Sequence, residues 1–222
     1  YSDNLDATLA SLVEGFTING YTPLYIGERI NSVQNEYSDN YSVIKDCNMI
    51  IGEMKDTKSE LAKQLLGTAW AIRSICYYNL LIRFCEPYNP ISAEDKLGLP
   101  LIDRFDMEAK PSRSDLKTTV SFIEEGFKNA IRYDISDTDY IFTSDVAKAY
   151  LTKLYFWTQQ WEKAIQYAEE LLSKYPMLEA NQYEEVMQNK FTQSSNFILN
   201  PYTSESSLGS MAVTNAFSDS KT

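Results

Sequence analysis

Between Asp145 and Pro176 the chain reads DVAKAYLTKLYFWTQQWEKAIQYAEELLSKYP, and this stretch constrains the fold more than any other. Apolar and small residues recur at helical spacing on both sides of Gln159 and Gln160, which predicts two amphipathic helices joined by a tight turn. Ala164 and Ala168 stand one helical turn apart, where short side chains let the second helix approach the first closely. Tyr155 and Trp161 are expected to fill the space beside them. Pro176 cannot continue a helix and closes the unit.

Leu151, Tyr155, Ala164, Ala168, Leu171 and Pro176 fall at the offsets of a tetratricopeptide repeat, a helix–turn–helix of about 34 residues. Gln159 stands where Gly is usual, so the turn is expected to keep ordinary helical or bridge dihedrals. Such a unit cannot bury its apolar face alone and needs stacked neighbours. The remaining sequence supplies them. Leu5, Leu9, Leu12, Val13 and Phe16 lie on one face of a first helix. After Gly20 and Pro23, a second carries Ile26, Ile30, Val33 and Tyr37. A turn over Tyr37–Tyr41 is expected to separate it from a third, with Ile44, Cys47, Ile51 and Met54.

The longest helix is predicted from about Thr57 to Phe84. Leu61, Leu65, Ala69, Ile72, Cys76 and Leu80 form one stripe, with Leu66, Trp70, Tyr77 and Leu81 beside it. A helix apolar on two sides is a central one. Ser114 is the expected N-cap of the next helix, with stripe Leu116, Val120, Ile123, Phe127 and Ile131. Thr143 or Ser144 caps the helix that opens the repeat. The predicted fold is all-α, a tetratricopeptide-like superhelix of helix hairpins with long irregular loops.

The 222 residues include no His, which removes Ser–His–Asp and Cys–His catalysis and every His-based metal site. Lys+Arg 20 against Asp+Glu 31 gives a net charge of −11, which argues against nucleic acid and against sulfated or uronic-acid-rich polymers. Cys47, Cys76 and Cys85 have no paired metal-ligand spacing, and Cys47 and Cys76 occupy apolar helical positions that suit small buried thiols. Neither metal nor cofactor is expected. Glu124-Glu125, Glu169-Glu170 and Glu184-Glu185 are adjacent pairs that diverge on a helix. Catalytic carboxylates must face one another across a substrate, so these read as solvated faces and no enzyme is expected. Tyr37, Asp39, Asn40 and Tyr41 read as a solvated turn. No apolar run reaches the roughly 18 residues of a membrane span. The chain starts at Tyr1 without Met, so a processed or trimmed N-terminus is expected.

Pro87 and Pro90 end the long helix and open an irregular stretch from Cys85 to Arg113. A connector of that length in a helical protein is more often a site than a spacer.

Taken in order, the motifs carry a family likeness. AWAIRSICYYNLLIRFCEPYNP, Ala69 to Pro90, resembles a Leu-Arg-Ala helix that runs through aromatics and ends in Phe-Gly and Pro. Ile72-Arg73-Ser74 stands for Leu-Arg-Ala here, and Cys85 for the Gly. LGLPLI, SRSDLKTTVSFIEEGFKNAI and SDVAKAYLTKLYFWTQQWEKAIQYAEELL follow in the same order, and Ile44–Ile51 resembles the third helix. The sequence is similar to the SusD/RagB family of Bacteroidetes outer-membrane lipoproteins, best over 39–172. The resemblance implies a non-catalytic, surface-exposed, lipid-anchored protein of the cell outer membrane. Such a protein binds oligosaccharide or polysaccharide and delivers it to a SusC-like TonB-dependent transporter.

Family members are longer, so the chain is expected to be an N-terminal portion without the family's lipidated Cys. Residues 1–193 would form the helical domain, and 194–222 a loosely structured tail leading to a further part. Tyr88 and Asn89, on the loop after the long helix, correspond to aromatic and amide positions that hold sugar. Arg73 corresponds to the motif arginine. Tyr88 has a second reading, a ring packing the loop against a helix, and Arg73 reads also as an ion-paired structural group. The competing function is a general repeat scaffold for a protein or peptide.

Overall fold

The computed structural model describes residues 30–54, 58–106, 108, 110–136, 142–182 and 198, with side chains from Glu36 onward. The helix expected over Leu5–Phe16, the turn at Gly20 and Pro23, Glu184-Glu185 and the domain boundary at 193/194 lie outside the described residues. The account below is of the unit Tyr37–Tyr202 and the helix that enters it.

The described chain is mostly helical, as the periodicity predicts. Helix α1 covers Ile30–Glu53 and α2 covers Glu60–Phe84; α3 is Leu116–Arg132, α4 is Ser144–Trp157 and α5 is Trp161–Lys174. Strand β1 (Leu97–Pro100) pairs antiparallel with β2 (Arg113–Asp115) in one small sheet, with Leu97 opposite Asp115 and Pro100 opposite Arg113.

Helix α2 is the central element. Tyr37 of α1 meets Phe84 edge-on at 5.0 Å, and Tyr41 meets Tyr77 at 6.1 Å, so α1 runs antiparallel beside it. On another side Tyr77 meets Phe122 of α3 at 5.2 Å. Gly126 of α3 lies so close to Ser74 that a Cβ there would overlap the Ser74 hydroxyl, which brings the two backbones together. Helices α4 and α5 pack as the predicted hairpin, with α4 against α3. Tyr77, Leu80, Leu81, Phe127, Leu151, Leu154 and Tyr155 are fully buried among these helices. Cys47 and Cys76 are buried thiols, and burial pushes their pKa values up to about 11 and about 12.

Several local expectations are corrected. No turn separates Tyr37 from Tyr41, because α1 runs straight through. The segment YSDNY holds neither Gly nor Pro, and Tyr37 and Tyr41 stack at 4.9 Å as an i, i+4 pair on the buried side. Leu61 and Leu65 are exposed, since α2 is surrounded only from Leu66 onward. Trp161 does not fill the hairpin interior; it is 47% exposed and packs edge-on against Phe156 at 5.2 Å. Glu124 is not a solvated carboxylate. It accepts from Lys128 Nζ at 2.6 Å and the Tyr155 hydroxyl at 2.9 Å, tying α3 to α4.

The caps differ in one case and agree in another. Asp115, not Ser114, caps α3, accepting from Thr118 N at 2.7 Å and Thr118 Oγ1 at 2.6 Å. Thr143 caps α4, as expected. The turn after α4 departs from ordinary dihedrals. Gln160 N donates to Tyr155 O and Gln159 N to Phe156 O, a Schellman closure that sets Gln159 at φ 61°. That left-handed conformation costs a residue with a Cβ about 1–2 kcal/mol. Asp134, the other non-glycine residue with positive φ among those described, is of a type that tolerates it.

Candidate functional site

The stretch from Cys85 to Arg113 is less free than its composition suggests, because side chains of the helices grip its backbone. Tyr41 Oη of α1 donates to Pro100 O at 2.8 Å, and Asn48 Nδ2 donates to Ile102 O at 2.8 Å. From α2, Tyr77 Oη accepts from Ile102 N at 2.7 Å and donates to Ile102 O at 3.2 Å. Arg73 completes the group: Nη1 donates to Asn48 Oδ1 at 2.6 Å and more weakly to Asp103 O at 3.4 Å. Its guanidinium lies 4.1 Å over the Trp70 ring and 5.4 Å from Phe122. Burial pushes the Arg73 and Tyr77 pKa values in opposite directions, the guanidinium down and the phenol up to about 12.

The far side of the stretch is fastened to the start of α3. Leu116 N donates to Lys96 O at 2.8 Å and Lys117 N to Ala93 O at 3.2 Å, so the loop supplies acceptors to α3's unpaired N–H groups. Thr119 Oγ1 accepts from Leu99 N at 3.0 Å, and Ser114 Oγ donates to Leu99 O at 2.9 Å. Gly98 is required there, because a Cβ would meet Thr119 Oγ1 and the Asp115 carbonyl. Arg113 Nε donates to Gly98 O at 2.6 Å, and its Nη2 reaches Leu97 O at 3.3 Å.

Ahead of both fastenings, between the end of α2 at Phe84 and Ala93, the chain bulges outward. Glu86, Pro87, Asn89, Pro90 and Ile91 are exposed, Ile91 by 94%. Tyr88 is half-buried, its ring 6.0 Å from that of Trp157 and tilted by 49°. Gln159 Nε2 donates to Tyr88 O at 3.4 Å, so the hairpin turn backs this loop. Asn89 Oδ1 accepts from Ile91 N at 2.9 Å, which shapes the turn and leaves the two amide N–H donors outside that bond. The result is an aromatic ring beside an amide on a braced surface loop. That pairing suits a polyhydroxylated ligand, whose C–H face stacks on a ring while its hydroxyls take amide hydrogen bonds.

Tyr88 and Asn89 therefore stand next to each other near the surface, the Tyr88 ring half-buried and packed on Trp157, as its reading as a loop-packing residue expects. Arg73 stands apart from them. It is 3% exposed, with Nη1 bonded to Asn48 and Asp103, so it is buried away from an outside ligand. Its partners are an amide, a carbonyl and ring faces rather than the carboxylate expected of an ion pair. Sequence reasoning missed Asn48, Tyr41 and Gln159, although Asn48 inside an apolar helical stripe was a visible signal of a buried polar role. Among the described residues no group of Cys, Asp and Glu is arranged to hold a metal ion, and no helix is long and apolar enough to cross a membrane.

Comparison with known proteins gives this geometry a setting. A SusD superfamily protein from Bacteroides thetaiotaomicron is 21% identical and superposes with a TM-score of 0.62 over 74% of this chain and 41% of its own. One from Bacteroides vulgatus is 20% identical with a TM-score of 0.62, covering 68% of this chain and 37% of its own. A laminarin-binding SusD-like protein is 20% identical with a TM-score of 0.52, covering 66% and 31% respectively. At this identity the likeness is one of fold, and the chain spans roughly a third to two-fifths of the length of these structures. No curated protein matches. The SusD-like family model described as "Starch-binding associating with outer membrane" matches residues 18–156. With that match covering more than half of its residues, the chain belongs to the SusD-like family of carbohydrate-binding proteins.

Proposed function

We propose that this protein is a non-catalytic glycan-binding protein that captures oligosaccharide at the cell surface and passes it to a SusC-like TonB-dependent transporter. It would be held at the outer membrane by a lipid anchor in its full-length form, with residues 1–193 forming the helical domain. The observation that carries this reading is the loop at Tyr88 and Asn89. It carries a half-buried ring and an exposed amide, backed by Trp157 at the end of α4 and by Gln159 in the repeat turn. Pre-set contact groups lose little entropy on binding, which favours weakly interacting ligands such as sugars. The SusD-like protein that binds laminarin supports a glycan as the ligand. A net charge of −11 favours a neutral glycan over a polyanionic one. Arg73 then acts at one remove, by fixing the loop backbone.

Calorimetric titration with neutral oligosaccharides tests the proposal. The wild type is expected to bind, and Tyr88→Ala to lose roughly tenfold or more in affinity, the worth of an aromatic contact of about 1.5 kcal/mol. Absence of saccharide binding together with capture of a peptide would replace this reading with that of a repeat scaffold. Co-purification with a large outer-membrane barrel tests the transporter partnership.

A further inference from the structure

The turn between α4 and α5 contains an unexplained choice of residue. Its Schellman closure demands positive φ at position 159, where Gly is free of strain, yet the chain carries Gln. The turn does not need that side chain to close. Backbone bonds from Gln159 N and Gln160 N close it, and Thr158 Oγ1, buried and bonded to Leu154 O, is held by Gln160 Nε2 at 2.9 Å. What the Gln159 side chain does is reach out of the repeat, with Nε2 donating to Tyr88 O at 3.4 Å. Two residues earlier, Trp157 packs beside the Tyr88 ring, tilted by 49° with centroids 6.0 Å apart. Backbone strain that persists without local need points to a role elsewhere.

We propose that Gln159 is a positioning residue for the binding loop, a clasp that sets the position of Tyr88 beside Trp157. This rests on the reading of Tyr88 and Asn89 as the glycan-contacting pair. Gln159 touches no ligand; it acts through the Tyr88 carbonyl.

Two substitutions separate the clasp from the turn. Gln159→Gly removes both the strain and the donor, while Gln159→Glu keeps the strain and the reach and loses the N–H. Amide hydrogen exchange is read by mass spectrometry over residues 86–92. Both variants are expected to exchange roughly fivefold faster there, the factor for losing one neutral hydrogen bond. Gln159→Gly is expected to unfold at no lower temperature than the wild type. A residue serving only the turn would not loosen a distant loop while leaving the fold as stable as before. Unchanged exchange over residues 86–92 in either variant overturns the proposal. Titration of the wild type with laminari-oligosaccharides is scored separately. If it binds none while both variants loosen the loop, the glycan reading falls and the clasp stands.

Discussion

Removing one oxygen atom tests whether the helices hold the loop as described. Tyr77→Phe keeps the ring, its burial and its edge contacts with Tyr41 and Phe122, and deletes only the hydroxyl. That hydroxyl accepts from Ile102 N at 2.7 Å and donates to Ile102 O at 3.2 Å. The carbonyl keeps a second donor, Asn48 Nδ2 at 2.8 Å, so its loss is small. The Ile102 N–H is left without its partner, and an orphaned buried donor costs about 1–3 kcal/mol. The expected destabilisation is therefore about 2 kcal/mol, or roughly 4–8 °C in Tm for a chain of this size. Urea unfolding followed by circular dichroism should show a lower midpoint with an unchanged slope, the mark of a stability change alone. A midpoint matching the wild type to within about 0.5 kcal/mol would mean that the hydroxyl is no strut. The reasoning about the anchored loop would then fail.

Three other perturbations follow from the same contacts. Gly98→Ala places a methyl group against the Asp115 carbonyl and Thr119, and should cost about 1–3 kcal/mol in urea unfolding by forcing β1 off the start of α3. Asp115→Ala removes both bonds to Thr118 and should cost about 1 kcal/mol, whereas Ser114→Ala leaves the cap intact and is expected to cost less. Burial alone would raise the Glu124 pKa, but the bonds from Lys128 and Tyr155 and the charge of Lys163 outweigh it and hold the carboxyl below its ordinary range. A folded-state pKa below the unfolded one, about 4.3, gives stability that is present above the unfolded value and lost as pH falls through the folded one. The Tm difference between wild type and Glu124→Gln should thus be full near neutrality and shrink below about pH 4; a difference independent of pH would contradict this.

Much of this architecture was legible from periodicity. Apolar spacing located α2, α3, α4 and α5 because each buries a continuous stripe, and the repeat offsets identified the hairpin of α4 and α5. The motif order in Ala69–Leu172 identified the family because it follows the stacking of helices along the chain. What could not be read was anything set by one chain segment meeting another. Tyr37–Tyr41 looked like a turn by composition, yet the docking of both rings beside α2 keeps α1 unbroken there. Residues Cys85–Arg113 have no period, since their order comes from side chains on α1 and α2 rather than from their own sequence. The positive φ of Gln159 was hidden for the opposite reason: the residue type argues against it, and only the backbone bonding around the turn imposes it. Tyr88 and Asn89 were legible as a polar–aromatic pair on a loop, while Trp157 as their backing was not, because it comes from a helix far along the chain.

The grip on Pro100, Ile102 and Asp103 engages carbonyls and an amide, never the side chains of those residues. Such a socket is indifferent to the identity of what it seats. Substitutions along the excursion can accumulate, or whole tips be exchanged, while the mounting on the helices keeps its form. One scaffold of this kind can therefore vary what its loop presents without re-solving its own folding.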